Sequence, residues 1–214
     1  MYTTVFFDLD GTLTDPCNGI TRSVEYALGK FGIKTENREN LKCFIGPPLI
    51  YSFKEYYGFS DTDAQTAVEY YREYFTKDGI FDNIVYDKTE YILKTLKEHN
   101  RKIVLATSKP EIFAKQILEH FFIDKYFDHI CGATMDTSRN TKNAVLEYAL
   151  KASQTKDFSL SVMVGDRHHD IEGAKHVGID SIGVEYGFAE HGELKAAGAT
   201  YVVKNQCDIL DIIL

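Results

Sequence analysis

The chain has 214 residues, 44% of them apolar and 26% charged, with 32 Asp plus Glu against 24 Lys plus Arg and a formal net charge of −8. This balance excludes a disordered or collagen-like chain, and the length allows one or two domains with a true core. The acidic excess argues against a nucleic-acid or anionic-membrane binder, which needs a basic surface to displace counterions.

The first segment, Thr4 to Leu9, is a short apolar run rich in β-formers, as expected of a strand buried on both faces of a parallel sheet. Turn chemistry follows in DGTLTD. From 16 to 83 the pattern changes. Ile20, Val24, Ala27, Leu28 and Phe31 recur on one helix face, with Gly32 as a stop. Ala64, Ala67, Val68, Tyr71, Tyr74 and Phe75 do the same behind a Ser60 N-cap with Asp63 in the first turn. Helices near 38–43 and 48–57 lie between them, split by Gly46-Pro47-Pro48. The aromatic residues of 51–86 are expected to form helix-bundle core.

From 84 onwards helix and strand alternate. Helices are expected near 88–99, 112–121, 142–152, 170–177 and 209–214. Strands are expected at 102–107, 129–132, 159–166, 181–184 and 200–203. The chain therefore reads as α/β, a Rossmann-like core of 1–15 and 84–214 with a mainly parallel sheet, interrupted by an all-helical insert of four helices at 16–83. No apolar run approaches the roughly 18 residues of a membrane span. The four cysteines lie far apart. With no basic leader at the N-terminus, a reducing, cytoplasmic location is expected.

In parallel sheets, ligands sit beyond the carboxyl ends of the strands. The first strand ends in Asp8-Leu9-Asp10-Gly11. In extended chain its two carboxylates project the same way, roughly 7 Å apart, and Gly11 lets the chain turn away. The 102–107 strand ends in Thr107-Ser108, hydroxyls suited to an oxyanion. The 159–166 strand ends in Gly165-Asp166, with Asp170 placed to cap the next helix. Lys142 follows Thr141, an expected N-cap, and so opposes the helix macrodipole. Four carboxylates against one ammonium would repel a phosphate unless a divalent cation joined them. Oxygen-only donors favour Mg²⁺. His168 and His169 are adjacent on a turn and are not expected to face one metal.

These residues resemble the motifs of the haloacid-dehalogenase-like phosphohydrolase superfamily. DLDGTLTD at 8–15 matches its first motif, Thr107 in VLATSKP its second, Lys142 its third and GDRHHD at 165–170 its fourth. The helical insert resembles that family's four-helix cap. FIGPPL (44–49) and the GDRxHD form are similar to the branch holding phosphoglycolate phosphatases and 5′-nucleotidase-like phosphatases. The resemblance implies a Mg²⁺-dependent phosphomonoesterase acting on a small phosphorylated metabolite, with neither nucleic acid nor membrane as partner, as monomer or homodimer. Asp8 would be the nucleophile and Asp10 the general acid and base. Thr107, Ser108 and Lys142 would hold the phosphoryl group. Mg²⁺ would be held by Asp8, the Asp10 backbone carbonyl, Asp166 and Asp170. In the cap, Arg22, Gly46 and Lys54 are candidates for the leaving group. A sugar phosphomutase and a non-catalytic phospho-accepting module are the alternative readings.

Overall fold

The structure is a computed structural model that describes all residues, Met1–Leu214. The elements in chain order begin with β1 (Thr4–Phe7) and the two-residue strand β2 (Thr14–Asp15). Helices α1 (Cys17–Lys30), α2 (Leu49–Tyr57) and α3 (Asp61–Tyr74) follow, then the short β3 (Ile84–Val85) and α4 (Thr89–Glu98). The chain continues through β4 (Lys102–Pro110), α5 (Glu111–His120), β5 (His129–Ala133), α6 (Lys142–Ala152) and β6 (Ser161–Gly165). It ends with α7 (His168–Val177), β7 (Asp180–Val184), α8 (Glu193–Ala197), β8 (Tyr201–Val203) and α9 (Asp208–Ile213). No helix is long and apolar enough to cross a membrane. All four cysteines are free.

The chain divides into two compact units, 1–15 with 85–214 and 16–84. In the first, six strands form one sheet in the order β5-β4-β1-β6-β7-β8. Every pairing is parallel. β1 lies between β4 and β6, where the strand order reverses, the place at which such sheets open a crevice for ligands.

The apolar runs explain the burial. Phe6, Val104, Ala106, Cys131 and Met163 face one side of the sheet and pack with Val145, Leu146, Ala149 and Leu150 of α6 and Ala174 of α7. Their neighbours Val5, Phe7, Ile103, Leu105, Val162 and Val164 are also fully buried, so both faces are covered. That is why these strands read as unbroken apolar runs rather than alternating ones. Burying one such side chain contributes about 1.5–3 kcal/mol.

The second unit is helical. Of the four expected helices, the one near 38–43 is a 3₁₀ segment, Arg38–Phe44, started by Asn37, whose side chain accepts from the Glu39 N–H at 3.0 Å. A single π-turn, Phe75–Gly79, extends α3. Ser60 caps α3 as expected, accepting from the Asp63 N–H at 3.1 Å. Phe44, Phe53 and Phe59 meet at ring-centroid distances of 4.9 and 5.8 Å. Phe31 meets Phe59 at 4.7 Å, so these aromatic side chains make a core. Tyr51 is exposed, and Tyr56, also exposed, lays its ring against Phe44 at 5.8 Å at the edge of this core.

In the first unit, β6 starts at Ser161 rather than 159 because 158–160 form a 3₁₀ turn. α7 starts at His168 rather than 170, which moves Asp170 from the cap to the third helical position. Its carboxylate still completes the helix end, accepting from the Arg167 N–H at 3.0 Å. The short α8 has no counterpart in the sequence reading, since five residues carry too little periodicity to register.

Candidate active site

The last residues of β1 set the site. The Asp8 N–H donates to Val164 O at 2.9 Å, which prolongs the β1–β6 ladder by one bond and holds Asp8 at the strand end. Gly11 then turns with φ of +83°. It must be glycine for a second reason: a Cβ there would stand 2.1 Å from the Asp166 carboxylate. Gly187 approaches from the loop after β7, where a Cβ would stand 2.4 Å from Asp166 Cβ and from Gly11 O. Two bare backbones thus enclose one carboxylate. The Phe188 N–H donates to Asp166 Oδ2 at 2.8 Å, and the Tyr186 hydroxyl donates to Thr12 O at 2.9 Å.

Lys142 opens α6 behind its Thr141 cap and is buried, its side chain 4% exposed. Its ammonium lies 2.9 Å from Asp8 Oδ1 and 2.6 Å from Asp170 Oδ1, and donates to Ala106 O at 2.9 Å. The ammonium is thus hydrogen-bonded to one carbonyl and ion-paired with two carboxylates. Burial opposes the charge, but Asp170 and Asp8 outweigh it and raise the Lys142 pKa above its ordinary value. The resemblance implies a phosphoryl contact for this lysine; the structure places its ammonium between two carboxylates.

Asp10 points elsewhere. Its Oδ2 is 2.6 Å from the Lys109 ammonium, with the two side chains 12% and 5% exposed. Its Oδ1 is buried without a hydrogen-bond partner. Burial pushes the Asp10 pKa up, and the Lys109 charge pulls against it. The sequence reading passed over Lys109, although it directly follows the Thr107-Ser108 pair. The Thr107 hydroxyl is buried and accepts from the Lys109 N–H at 3.2 Å, which leaves its proton free for an oxyanion. Ser108 is half-buried. The loop Tyr186-Gly187-Phe188 also went unread, because no acid, base or hydroxyl pattern marked it.

Asp8, Asp166 and Asp170 bring one carboxylate oxygen each to within 4.8 Å of one another, all three buried. Burial and the charges of Asp170 and Asp8 hold the Asp166 pKa well above the usual carboxylate range. Burial raises Asp170 to about 6, against the pull of Lys142. Asp8 Oδ1 and Asp170 Oδ1 face the Lys142 ammonium without an aligned hydrogen bond. Four carboxylates face two ammoniums, so negative charge remains. This oxygen-only set fits a hard divalent cation. The Asp10 side chain stands apart from it, tied to Lys109.

Beside this centre, burial and the His168 and Arg167 side chains lower the His169 pKa to about 4. Glu193 is held at about 2: burial works against ionisation, but the N–H groups of Glu190 and His168 and the Arg167 side chain outweigh it.

In the helical unit, Arg22, Glu25, Tyr26, Arg38 and Tyr74 line a groove of about 520 Å³. Arg22 pairs with Asp82 at 3.0 Å and Lys54 with Asp61 at 2.5 Å. Both pairs are exposed and are worth about 0–1 kcal/mol, so either cation can leave its partner for an anionic ligand. Gly46 has φ of +104° in the turn before Pro47.

The family described as Haloacid dehalogenase-like hydrolase matches residues 5–184. This chain belongs to it. A 5′-nucleotidase of Pseudomonas aeruginosa is 42% identical over 200 residues, covering 94% of this chain and 90% of the relative. The tyrosine-protein kinase PtkA of Mycobacterium tuberculosis is 35% identical over 198 residues, covering 92% of this chain and 67% of that one. A crystal structure of a predicted phosphatase from Clostridium acetobutylicum superposes with a TM-score of 0.95 at 47% identity, covering 99% of each chain. The chain is an enzyme, a phosphatase of this family.

Two predictions follow from the geometry. Asp170 holds its proton more tightly folded than unfolded, since its pKa is about 6 against an ordinary 3.8. Its contribution to stability is therefore present below about pH 4 and lost as the pH rises through about 6. A divalent cation should reverse that loss. The Mg²⁺-induced rise in Tm should be larger at pH 7.5 than at pH 5; an equal rise at both would contradict the assignment. Separately, Lys109→Met leaves a buried carboxylate without its partner and should cost about 3–5 kcal/mol in urea denaturation. Adding Asp10→Asn should recover most of that cost. A double variant as unstable as the single one would show that the pair is not what Lys109 supports.

Proposed function

We propose that the chain hydrolyses a small phosphomonoester through an aspartyl-phosphate on Asp8, with a nucleoside 5′-monophosphate as the first substrate to test and phosphoglycolate as the second. The observation that carries the mechanism is the split of the two carboxylates at the end of β1. Lys142 holds Asp8 and Lys109 holds Asp10, so two like groups two residues apart are set up for different tasks.

Lys142 neutralises Asp8 Oδ1, and Oδ2 is left to attack phosphorus. As the Asp8–phosphorus bond forms, the ester P–O bond breaks, and the leaving alkoxide takes a proton from Asp10. Its Oδ1, buried and unpartnered, is the place for that proton. Asp10 then takes a proton from water. The water oxygen attacks the phosphoryl group, which releases phosphate and restores Asp8. Thr107 donates its hydroxyl to a phosphoryl oxygen, with Ser108 beside it. Lys109 is freed to face the phosphate when Asp10 becomes protonated. Catalysis on this plan rests on placed charge rather than on a strong base.

The Asp8, Asp166 and Asp170 oxygens would hold Mg²⁺, helped by the Asp10 backbone carbonyl. When bound, Mg²⁺ supplies charge stabilisation to the transferring phosphoryl oxygens. The helical unit 16–84 is assigned the choice of leaving group, with Arg22, Gly46 and Lys54 as the candidate contacts. The 5′-nucleotidase likeness supports a nucleotide as substrate. The four free cysteines fit a reducing, cytoplasmic setting.

Phosphate release should be followed with Mg²⁺ and with EDTA across nucleoside 5′-monophosphates, phosphoglycolate and sugar phosphates. Release should require Mg²⁺, and Asp8→Asn should lower it by on the order of a thousandfold or more in a protein of unchanged fold. Comparable turnover in that variant would sink the aspartyl-phosphate. Phosphate passed to a sugar or a tyrosine hydroxyl instead of to water would favour a transferase. Arg22→Ala and Lys54→Ala should each change the order of substrates more than the rate on the best one. An unaltered profile would remove them from recognition.

A further inference from the structure

Next to the carboxylate centre, the first turns of α7 carry a donor cluster of different chemistry. His168, His169 and Glu172 each bring one ligand atom to within 4.8 Å of the others. Helical spacing explains the convergence. Residues three and four apart share a face, so Glu172 meets both His169 and His168. Adjacent side chains on a helix diverge by about 100°. Here the two imidazoles instead stand together, with ring centroids 3.9 Å apart and planes at 45°. The two rings are therefore close enough to turn toward one ion, although they are adjacent in the chain.

His168 is also oriented from behind. Its Nδ1 lies 2.8 Å from Glu193 Oε1. Glu193 is itself fixed, accepting from Arg167 Nε at 2.9 Å, from the His168 N–H at 2.8 Å and from the Glu190 N–H at 2.9 Å. A carboxylate on one ring nitrogen places the proton there and leaves the lone pair of the other, Nε2, for a ligand. This carboxylate–histidine pairing is the arrangement that stands behind metal-bound imidazoles. His169 is half-buried and Glu172 is exposed, so the cluster is open to an ion from solvent. A tetrahedral zinc site needs ligand atoms about 3.3 Å apart, from bonds of about 2.0–2.1 Å. Closing on an ion therefore needs the stacked imidazoles to turn apart as well as the exposed Glu172 to swing in.

We propose that His168, His169 and Glu172 form a second metal site for a zinc-type transition ion, separate from the oxygen-only centre of Asp8, Asp166 and Asp170, with Glu193 orienting His168. Two imidazoles and one carboxylate suit Zn²⁺, Co²⁺ or Ni²⁺, whereas carboxylates alone suit Mg²⁺. Three protein ligands from one helix end leave a coordination position to water. The protein would then carry two divalent ions that differ in kind, held by residues interleaved in one short segment.

The test is equilibrium dialysis of the full chain against ZnCl₂ in excess Mg²⁺, which occupies the carboxylate centre, with bound zinc counted by atomic emission. One equivalent of zinc should be retained. Glu172→Gln and His169→Ala should each weaken retention by about tenfold or more. Asp166→Asn should leave it unchanged. With Co²⁺ in place of zinc, the visible absorption of an imidazole-bound ion should appear in the unsubstituted protein and fade in His169→Ala. No retained zinc would overturn the proposal, as would retention in Glu172→Gln and His169→Ala equal to that of the unsubstituted protein. Zinc lost in Asp166→Asn but kept in Glu172→Gln would place the ion in the carboxylate centre and overturn it too. If His169→Ala does not fold, the exposed Glu172→Gln decides.

Discussion

The structure of the α/β unit depends on one buried ammonium. Lys142 opens a helix, where a positive charge is opposed by the macrodipole at about 0.3–1 kcal/mol. That cost is outweighed because the same ammonium meets Asp8, Asp170 and the Ala106 carbonyl at once. Breaking a buried pair costs about 3–5 kcal/mol, several times the dipole effect. The three acceptors come from the end of β1, the first turn of α7 and the middle of β4. A single nitrogen therefore registers three separate segments of chain. If it were neutral or absent, Asp8 and Asp170 would face each other uncompensated, and no hydrophobic contact in the core could take over that task.

One lysine does not balance the centre. Asp166 enters beside Asp8 and Asp170 with Gly11 and Gly187 packed against it and few donors of its own. Burial and like charge then push its pKa up together. A proton or a cation relieves such a centre, and its oxygen-only donors suit a hard divalent ion. Asp10 escapes this crowding because Lys109 draws its carboxylate aside. The two aspartates of one short motif therefore acquire different neighbours, which gives them different chemistry.

Much of this was legible before any coordinates. The strands that carry Asp8, Thr107 and Asp166 are unbroken apolar runs because both sheet faces are covered, and such runs stand out in a sequence. Lys142 betrayed itself through a local conflict, a cation at a helix start. Lys109 sent no such signal. Its partner Asp10 lies 99 residues earlier in the chain, and only the parallel pairing of β1 with β4 joins them. The Tyr186-Gly187-Phe188 loop was silent for a related reason: it acts through backbone N–H and missing Cβ atoms, which residue type barely encodes. The segment near 38–43, expected as a helix between two periodic ones, is a seven-residue 3₁₀ turn behind an Asn37 cap.

The segment from Asp166 to Glu172 concentrates the lesson. Asp166 and Asp170 turn their oxygens toward Asp8, while His168, His169 and Glu172 converge on one another. Helical geometry separates the two sets: His168 and Asp170 are two apart and do not face each other, whereas His168 and Glu172 are four apart and do. In the sequence, three acids and two adjacent histidines within seven residues look like one mixed cluster. Folded, it is two donor sets of opposite softness, divided by the first turn of α7. Hard and softer cations would therefore be sorted by which side of a single helix turn they meet, without any change in the metal levels around the protein. Glu193 adds the asymmetry that fixes this sorting, because it holds the His168 ring from behind and leaves the oxygen centre untouched.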